Sequence, residues 1–160
     1  MQFVTKSEKE TFGLAKQFSK SLRGGEVVLL LGDLGSGKTT FVKGLAQALG
    51  IKEKITSPTF VLMHTHCVTR YLPTLPTGRQ AGQAGKLHVT RFVHVDAYRL
   101  KTAQGLLDIG LGDWLGRQDT TVLIEWGEKI KPLLRRKKIK FTEIKFQHGQ
   151  KENERIIKIK

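Results

Sequence analysis

The 160-residue chain has few of the features that mark exported or membrane-spanning proteins. It contains one cysteine, Cys67, so no disulfide can form within the chain, as is typical of a reducing compartment. No apolar run approaches the roughly 20 residues that cross a bilayer. Residues 1–10, MQFVTKSEKE, also contain no apolar segment of the kind that directs export. We therefore expect a cytoplasmic protein.

Acidic residues are also scarce, because 14 Asp and Glu stand against 28 Lys and Arg, for a net charge of +14. Residues 131–160 alone contain 11 of the basic side chains and three of the acidic ones. A basic surface attracts polyanions, so these residues could bind RNA or an acidic protein. The alternative is that they form a solvated surface that binds no specific ligand. The few carboxylates are informative, since a divalent metal ion needs them. A zinc site is disfavoured, because no C-x-x-C spacing occurs.

Hydrophobic patterning predicts a single domain, residues 1–160, in which strands alternate with helices. A capping box formed by Ser7 and Glu10 starts the first helix. The predicted helices are 7–22, 39–49 and one or two short ones in 106–116. The predicted strands are 27–31, 59–67, 91–98, 121–125 and a hairpin of 139–146 with 156–159. The basic residues 135–138, which precede the hairpin, would either contact nucleic acid or form a solvated approach to the strand. Residues 72–86, LPTLPTGRQAGQAGK, are too poor in apolar groups to pack and predict a flexible insertion.

The sharpest motif is Gly32-Asp33-Leu34-Gly35-Ser36-Gly37-Lys38-Thr39, which matches the phosphate-loop pattern G-x-x-x-x-G-K-[ST]. Its glycines allow successive backbone N–H groups to point at a phosphate, and the helix that follows directs its positive end to the same place. Lys38 would contact the β- and γ-phosphates, and the Thr39 hydroxyl would ligate Mg²⁺. Because the motif lies between a buried strand and a helix, it predicts an α/β P-loop NTPase-like fold of three layers. Its mixed sheet would be parallel around the nucleotide unit and antiparallel at the hairpins. No N-K-x-D motif for guanine is present, which favours ATP.

Two acidic residues end apolar strands and would therefore lie at the carboxyl edge of the sheet, beside the phosphates. Asp96 ends FVHVD, and Glu125 ends VLIE. Either would hold Mg²⁺ directly or through water, while the other orients the attacking water; the alternative is a carboxylate that only caps a turn. His94 would share a strand face with Asp96, so it would orient that carboxylate, serve packing or form a plain hydrogen bond.

A second polar segment follows the nucleotide-binding helix, where many phosphate-loop proteins sense the γ-phosphate. Ser57, Pro58 and Thr59 offer two hydroxyls around a stiff turn. We predict that they form a nucleotide-sensitive switch, with a plain loop as the alternative.

These motifs, in this order, resemble the TsaE family, the small ATPase of bacterial tRNA threonylcarbamoyladenosine biosynthesis. The resemblance rests on GDLGSGKTTF at 32–41, ITSPTF at 55–60, HVDAYRL at 94–100, IGLGDW at 109–114 and IEWGEKI at 124–130. It implies an ATPase that works with two partner proteins, a transferase subunit and its dimerising companion. These partners attach the threonylcarbamoyl group to the adenosine next to the anticodon, and ATP hydrolysis would reset the complex. The tRNA would be contacted indirectly or through the basic C-terminal residues.

The resemblance also implies roles for individual residues. The phosphates would be held by Gly35, Ser36, Gly37, Lys38, Thr39 and Thr40. Thr39 and Glu125 would hold Mg²⁺, and Asp96, Lys38 and Glu125 would serve hydrolysis. Trp126 would lie beside the nucleotide, and Glu8 would lie near the adenine.

Two other functions remain open from the sequence. A small-molecule or nucleoside kinase would need an acceptor pocket and an arginine-rich lid, and the sequence shows no convincing lid. For ATP hydrolysis no obvious arginine finger is present, and Arg99 is the nearest candidate in the sequence, so we expect slow hydrolysis by the protein alone. A nucleotide-gated RNA-binding module would use the basic residues of 131–160.

Overall fold

The computed structural model describes residues 1–53, 55, 62–68 and 89–160. Within them, one seven-stranded sheet has helices on both faces. The strands are β1 (Gln2–Thr5), β2 (Val27–Leu31), β3 (Met63–Cys67), β4 (Arg91–Asp96), β5 (Thr120–Glu125), β6 (Thr142–His148) and β7 (Arg155–Ile159). The helices are α1 (Glu8–Ser19), α2 (Lys38–Ala48), α3 (Ala103–Asp108) and α4 (Lys131–Arg136), with 3-10 helices at Leu111–Asp113 and Gly127–Lys129. Among these elements, no helix has the length and apolar composition that crossing a membrane requires.

The sheet has the order β1-β7-β6-β2-β5-β4-β3 and is mixed, as predicted. β2 lies at its centre because VVLLL is apolar on both faces, and it pairs in parallel with β5 and with β6. β4 continues the parallel part next to β5, whereas β3, β7 and β1 pair antiparallel with their neighbours. The parallel part therefore brings the carboxyl ends of β2, β4 and β5 to one edge.

Two helical layers cover the sheet and complete the three-layer arrangement. α1 and α2 pack together on one face, against side chains such as Val28, Leu30 and Phe146. α3 and α4 cover the other face, against Leu29, Val95 and their neighbours. The nucleotide-binding helix expected at 39–49 is thus fixed between α1 and the central strand.

Parts of the described chain differ from the elements that the sequence predicts. β1 was missed because it has four residues and its burial hardly alternates. The segment 135–138, interpreted as solvated chain before a strand, instead contains the end of α4, which is anchored by the buried Leu133 and Leu134. The strand expected over 91–98 ends at Asp96, where the backbone turns. The insertion expected at 72–86 lies outside the described residues.

Candidate nucleotide-binding site

The loop between β2 and α2 has the backbone that its glycines allow. Gly32 has φ 134° and Gly37 has φ 99°, both in the region that favours glycine. A Cβ at Gly32 would lie 2.3 Å from the carbonyl oxygen of Phe146, so no larger residue fits there. Gly37 is the N-cap of α2 and gives no side-chain cap to the first turn of the helix. The hydroxyl of Ser36 is buried without a hydrogen-bond partner among the described residues. An uncapped helix start beside an unpartnered hydroxyl is suited to an anion.

Lys38 lies inside this loop, with its ammonium group turned toward the loop's own carbonyls. Nζ donates to the carbonyl oxygens of Gly32 at 2.8 Å and Asp33 at 2.7 Å. It also lies 4.0 Å from the centre of the Trp126 ring, within the range of a cation–π contact. Burial lowers the pKa of Lys38 below its usual 10.5, and the carboxylates of Glu125 and its acidic neighbours oppose that shift. The ammonium is thus held at the phosphate loop by weak acceptors that phosphate oxygens can replace.

Thr39, Glu125 and His94 form a hydrogen-bonded chain across the carboxyl edge of the sheet. The Thr39 hydroxyl donates to Oε2 of Glu125 at 2.9 Å. Oε1 of the same carboxylate lies 2.9 Å from Nε2 of His94, and both side chains of this pair are buried. Of the roles that the sequence left open for His94, the structure shows the plain hydrogen bond, because the imidazole contacts Glu125 on the neighbouring strand.

Asp96 lies directly beside Glu125, as the prediction from parallel strands requires. The two residues are register partners at the ends of β4 and β5. Oδ1 of Asp96 accepts the backbone N–H of Tyr98 at 2.9 Å, which fixes the carboxylate as the chain leaves the sheet. Tyr98 in turn packs on Trp126, with ring centres 5.0 Å apart, and Trp126 has a positive φ of 59°. Two carboxylates and two aromatic rings therefore lie on one side of the phosphate loop.

A cavity of about 360 Å³ joins these groups. Of the residues predicted for the site, nine line it: Glu8, Gly35, Gly37, Lys38, Thr39, Thr40, Asp96, Glu125 and Trp126. Ser36 is buried in the loop behind it. The predicted switch, Ser57, Pro58 and Thr59, lies outside the described residues. The chain offers no competing metal cluster in its described part, where no three His, Cys, Asp or Glu side chains converge.

The β6–β7 hairpin contributes two residues to the cavity that the sequence did not suggest, Asn153 and Arg155. The side chain of Arg155 lies against Gly37, with Cγ 3.7 Å from the position of a Cβ there. Nη1 of Arg155 donates to the carbonyl oxygens of Glu152 at 2.7 Å and Glu154 at 2.9 Å. No local pattern marks this arginine, since only the pairing of β6 with β2 brings the hairpin to the phosphate loop.

Comparison with known proteins shows which family the chain belongs to. The family model for threonylcarbamoyl adenosine biosynthesis protein TsaE matches residues 5–157. The chain belongs to the TsaE family. Curated TsaE relatives include those of Treponema pallidum, 36% identical over 81% of this chain and 81% of the relative, and Aquifex aeolicus, 33% identical over 82% and 80%. The TsaE of Streptomyces coelicolor is 37% identical over 72% of this chain, and the match spans 66% of that protein's length, just under two thirds.

A solved structure supports the same assignment at the level of the fold. The crystal structure of YdiB from Bacillus subtilis superimposes with a TM-score of 0.65 and 25% sequence identity. The match covers 98% of this chain and 82% of YdiB. Membership of the TsaE family and the α/β P-loop-like fold therefore agree with the resemblance that the motifs carry.

Proposed function

We propose that this TsaE-family protein is a Mg²⁺-dependent ATPase. It would support the complex that attaches the threonylcarbamoyl group to the adenosine next to the anticodon of tRNA. The observation that supports the ATPase best is the joint placement of Lys38, Thr39, Asp96 and Glu125 around one cavity. The tRNA pathway is supported by the relatives, which are described as tRNA threonylcarbamoyladenosine biosynthesis proteins.

The donor atoms at the site fit Mg²⁺, which prefers oxygen ligands and keeps several waters. The Thr39 hydroxyl and the Glu125 carboxylate would hold the ion, and they already lie within hydrogen-bond distance of each other. When bound, Mg²⁺ neutralises charge on the β- and γ-phosphates of ATP.

The chain's own residues would divide the remaining work. Lys38 would exchange the carbonyls of Gly32 and Asp33 for phosphate oxygens, because a charged acceptor forms the stronger hydrogen bond. The backbone N–H groups at the start of α2 would bind the same phosphates. Asp96, oriented by the Tyr98 N–H, would accept a hydrogen bond from the attacking water and hold it in line.

The nucleotide would extend from the phosphate loop toward α1 and the β6–β7 hairpin. Glu8 and Thr40 line this part of the cavity together with Arg155. We propose that Glu8 lies near the adenine, that Thr40 helps to hold the phosphates and that Trp126 lies beside the nucleotide. Arg155, which lies against Gly37, would contact the nucleotide at the phosphate loop. The segment of Ser57, Pro58 and Thr59 would respond to the γ-phosphate.

The two partner proteins, a transferase subunit and its dimerising companion, would bind this ATPase and accelerate its turnover. The test is phosphate release from ATP by the purified protein, with and without Mg²⁺ and with and without both partners. We expect slow, Mg²⁺-dependent release that rises when both partners are added, and its loss in Lys38→Ala and Glu125→Gln. An unchanged rate with the partners would contradict the proposed role. Phosphate transferred to a metabolite instead of water would identify a kinase.

A further inference from the structure

One half of the sheet has a face that no described helix covers. Leu29 and Leu31 on β2 point into the layer of α3 and α4. Their register partners on β6 are Glu143 and Lys145, so these two side chains point to the same side of the sheet. Leu31 is buried whereas Lys145 is exposed, so the helical layer ends at β6, where its contact is the ion pair of Lys131 in α4 with Glu143.

We name this uncovered surface the lysine face. It continues across β7 and β1, because Lys145 pairs with Lys158 and Lys158 pairs with Gln2. The next row of partners is formed by Gln147, Ile156 and Val4. The lysine face consists of Gln2, Val4, Glu143, Lys145, Gln147, Ile156 and Lys158, of which Val4 is 49% exposed.

Lys145 and Lys158 are like charges placed directly opposite each other. Such a cross-strand pair destabilises a sheet. All 14 acidic residues of the chain belong to its described part, and neither lysine forms an ion pair with any of them. Glu143, the one carboxylate of the lysine face, is already bound to Lys131 at 2.7 Å. The face thus has two uncompensated ammonium groups whose repulsion a bound anion would relieve.

We propose that the lysine face binds the phosphodiester backbone of RNA. Lysine ammonium groups and glutamine amides are donors that contact phosphate oxygens and sugars without reading sequence. Protein interfaces are by contrast depleted in lysine and enriched in aromatic residues around an apolar centre. The lysine face has no aromatic residue and only two aliphatic ones, which favours RNA over an acidic protein.

The same hairpin links this face to the nucleotide cavity. β6 and β7 present Lys145 and Lys158 in their strands and Arg155 at the cavity. His148, at the end of β6, lies 3.4 Å from the carbonyl oxygen of Leu34 in the phosphate loop. RNA bound on the lysine face would therefore lie on the element that closes one side of the nucleotide site.

The test measures binding of an unmodified tRNA transcript to the full chain, by fluorescence anisotropy over a series of KCl concentrations. Only the choice of tRNA rests on the proposed function, since neither nucleotide nor partner protein is present. We expect Lys145→Gln/Lys158→Gln to reduce the slope of log Kd against log salt by about 2, because each lysine would neutralise one phosphate. The matched control is Lys16→Gln/Lys20→Gln, which removes the same charge from exposed positions at the end of α1. It should leave the slope within error of the parent protein.

A second variant separates binding from folding. Lys145→Glu would place a carboxylate opposite Lys158, so the melting temperature should be kept or raised while tRNA affinity falls. Equal slopes for the two double variants, or no salt-dependent binding at all, would overturn the proposal. So would tighter binding of poly-glutamate than of tRNA at the same salt, which would assign the face to an acidic protein. Failure of ATP hydrolysis would instead overturn the proposed function and leave RNA binding as measured.

Discussion

Nε2 of His94 lies 2.9 Å from Oε1 of Glu125, and the Thr39 hydroxyl occupies the other oxygen of the same carboxylate. His94 and Glu125 are 1% and 2% exposed, so the contact between them is shielded from water. The carboxylate that we propose as a Mg²⁺ ligand is thus oriented from behind by a buried imidazole. Partners of this kind around metal ligands fix both their direction and their basicity.

Replacing His94 should therefore weaken Mg²⁺ binding more than nucleotide binding. For His94→Ala we expect the Mg²⁺ concentration needed for half-maximal ATPase activity to rise about 10- to 100-fold, as is typical when such a partner is removed. Mn²⁺ binding followed by electron paramagnetic resonance should show the same weakening. ATP affinity measured without metal should hardly change, and His94→Gln should recover part of the metal affinity. Equal losses of ATP and metal affinity would point to misfolding instead.

Site residues that are each marked by a short local pattern could be predicted from the sequence. The phosphate loop lies between an apolar strand and a helix, and Asp96 and Glu125 end strands whose parallel pairing follows from that pattern. All three were correctly placed at one edge of the sheet. The hydrogen-bond partner of His94 could not be predicted. A strand pattern shows which residues share a face of the sheet, but not which side chain on the neighbouring strand each of them contacts.

Residues brought in by distant pairing could not be predicted. Arg155 follows the phosphate loop by more than 100 residues, and it reaches Gly37 only because β6 adds to β2 in parallel. The lysine face could not be predicted from the sequence for the same reason. A count of charges locates the excess in residues 131–160, but the pairing of Lys145 with Lys158 depends on the register of the hairpin.

The contact between Lys38 and Trp126 predicts an optical signal for nucleotide binding. The ammonium lies 4.0 Å from the indole ring, and a bound triphosphate would draw it from the loop carbonyls to the phosphate oxygens, which would change its position relative to the ring. We expect ATP to change the tryptophan emission, and Lys38→Met to abolish the change. The chain has a second tryptophan, Trp114, which lies near Arg91 and Arg117 and not at the cavity. Trp114→Phe should therefore keep the response and Trp126→Phe should remove it; the opposite result would exclude this contact as its origin.

Arg155 should contribute to ATP affinity although no motif contains it. Its guanidinium is held beside the phosphate loop by two carbonyl oxygens of its own hairpin. Arg155→Ala should raise the Kd for ATP about tenfold, which corresponds to loss of one charge-assisted hydrogen bond of about 1.5 kcal/mol. Lys151→Ala removes the same charge from an exposed position of the same turn that does not line the cavity. Isothermal titration calorimetry of ATP binding to both variants checks the prediction. Equal losses of ATP affinity would mean that Arg155 acts only through its positive charge and not through a specific contact.

The hydrogen bonds of Asp119 should make the free energy of unfolding depend on pH in the acid range. Its carboxylate accepts from Arg117, Thr120 and Thr90 at the start of β4 and β5, and these bonds, led by that of Arg117, lower its pKa below the usual 3.8. A lowered pKa means that the folded state binds fewer protons than the unfolded chain. The contribution of Asp119 is therefore complete above pH 3.8 and is lost as the pH falls through the folded-state pKa. Asp119→Asn should be less stable than the parent at neutral pH, and urea unfolding at decreasing pH should show the difference shrinking. A constant difference would contradict the assigned cause.

Two glycines in the paired helices should respond in opposite directions to the same substitution. A Cβ at Gly44 in α2 would lie 2.9 Å from Cα of Phe12 in α1, and this backbone contact cannot yield without separating the helices. A Cβ at Gly13 in α1 would meet nothing within 4 Å. Gly44→Ala should therefore lower the free energy of unfolding by about 1–3 kcal/mol, whereas Gly13→Ala should raise it by about 0.5–1 kcal/mol through helix propensity. Because α1 brings Glu8 to the cavity, Gly44→Ala should also weaken ATP binding, and Gly13→Ala should not. Urea unfolding and ATP titration of the two variants test this, and stabilisation by both would mean that the α1–α2 contact is looser than the structure has it.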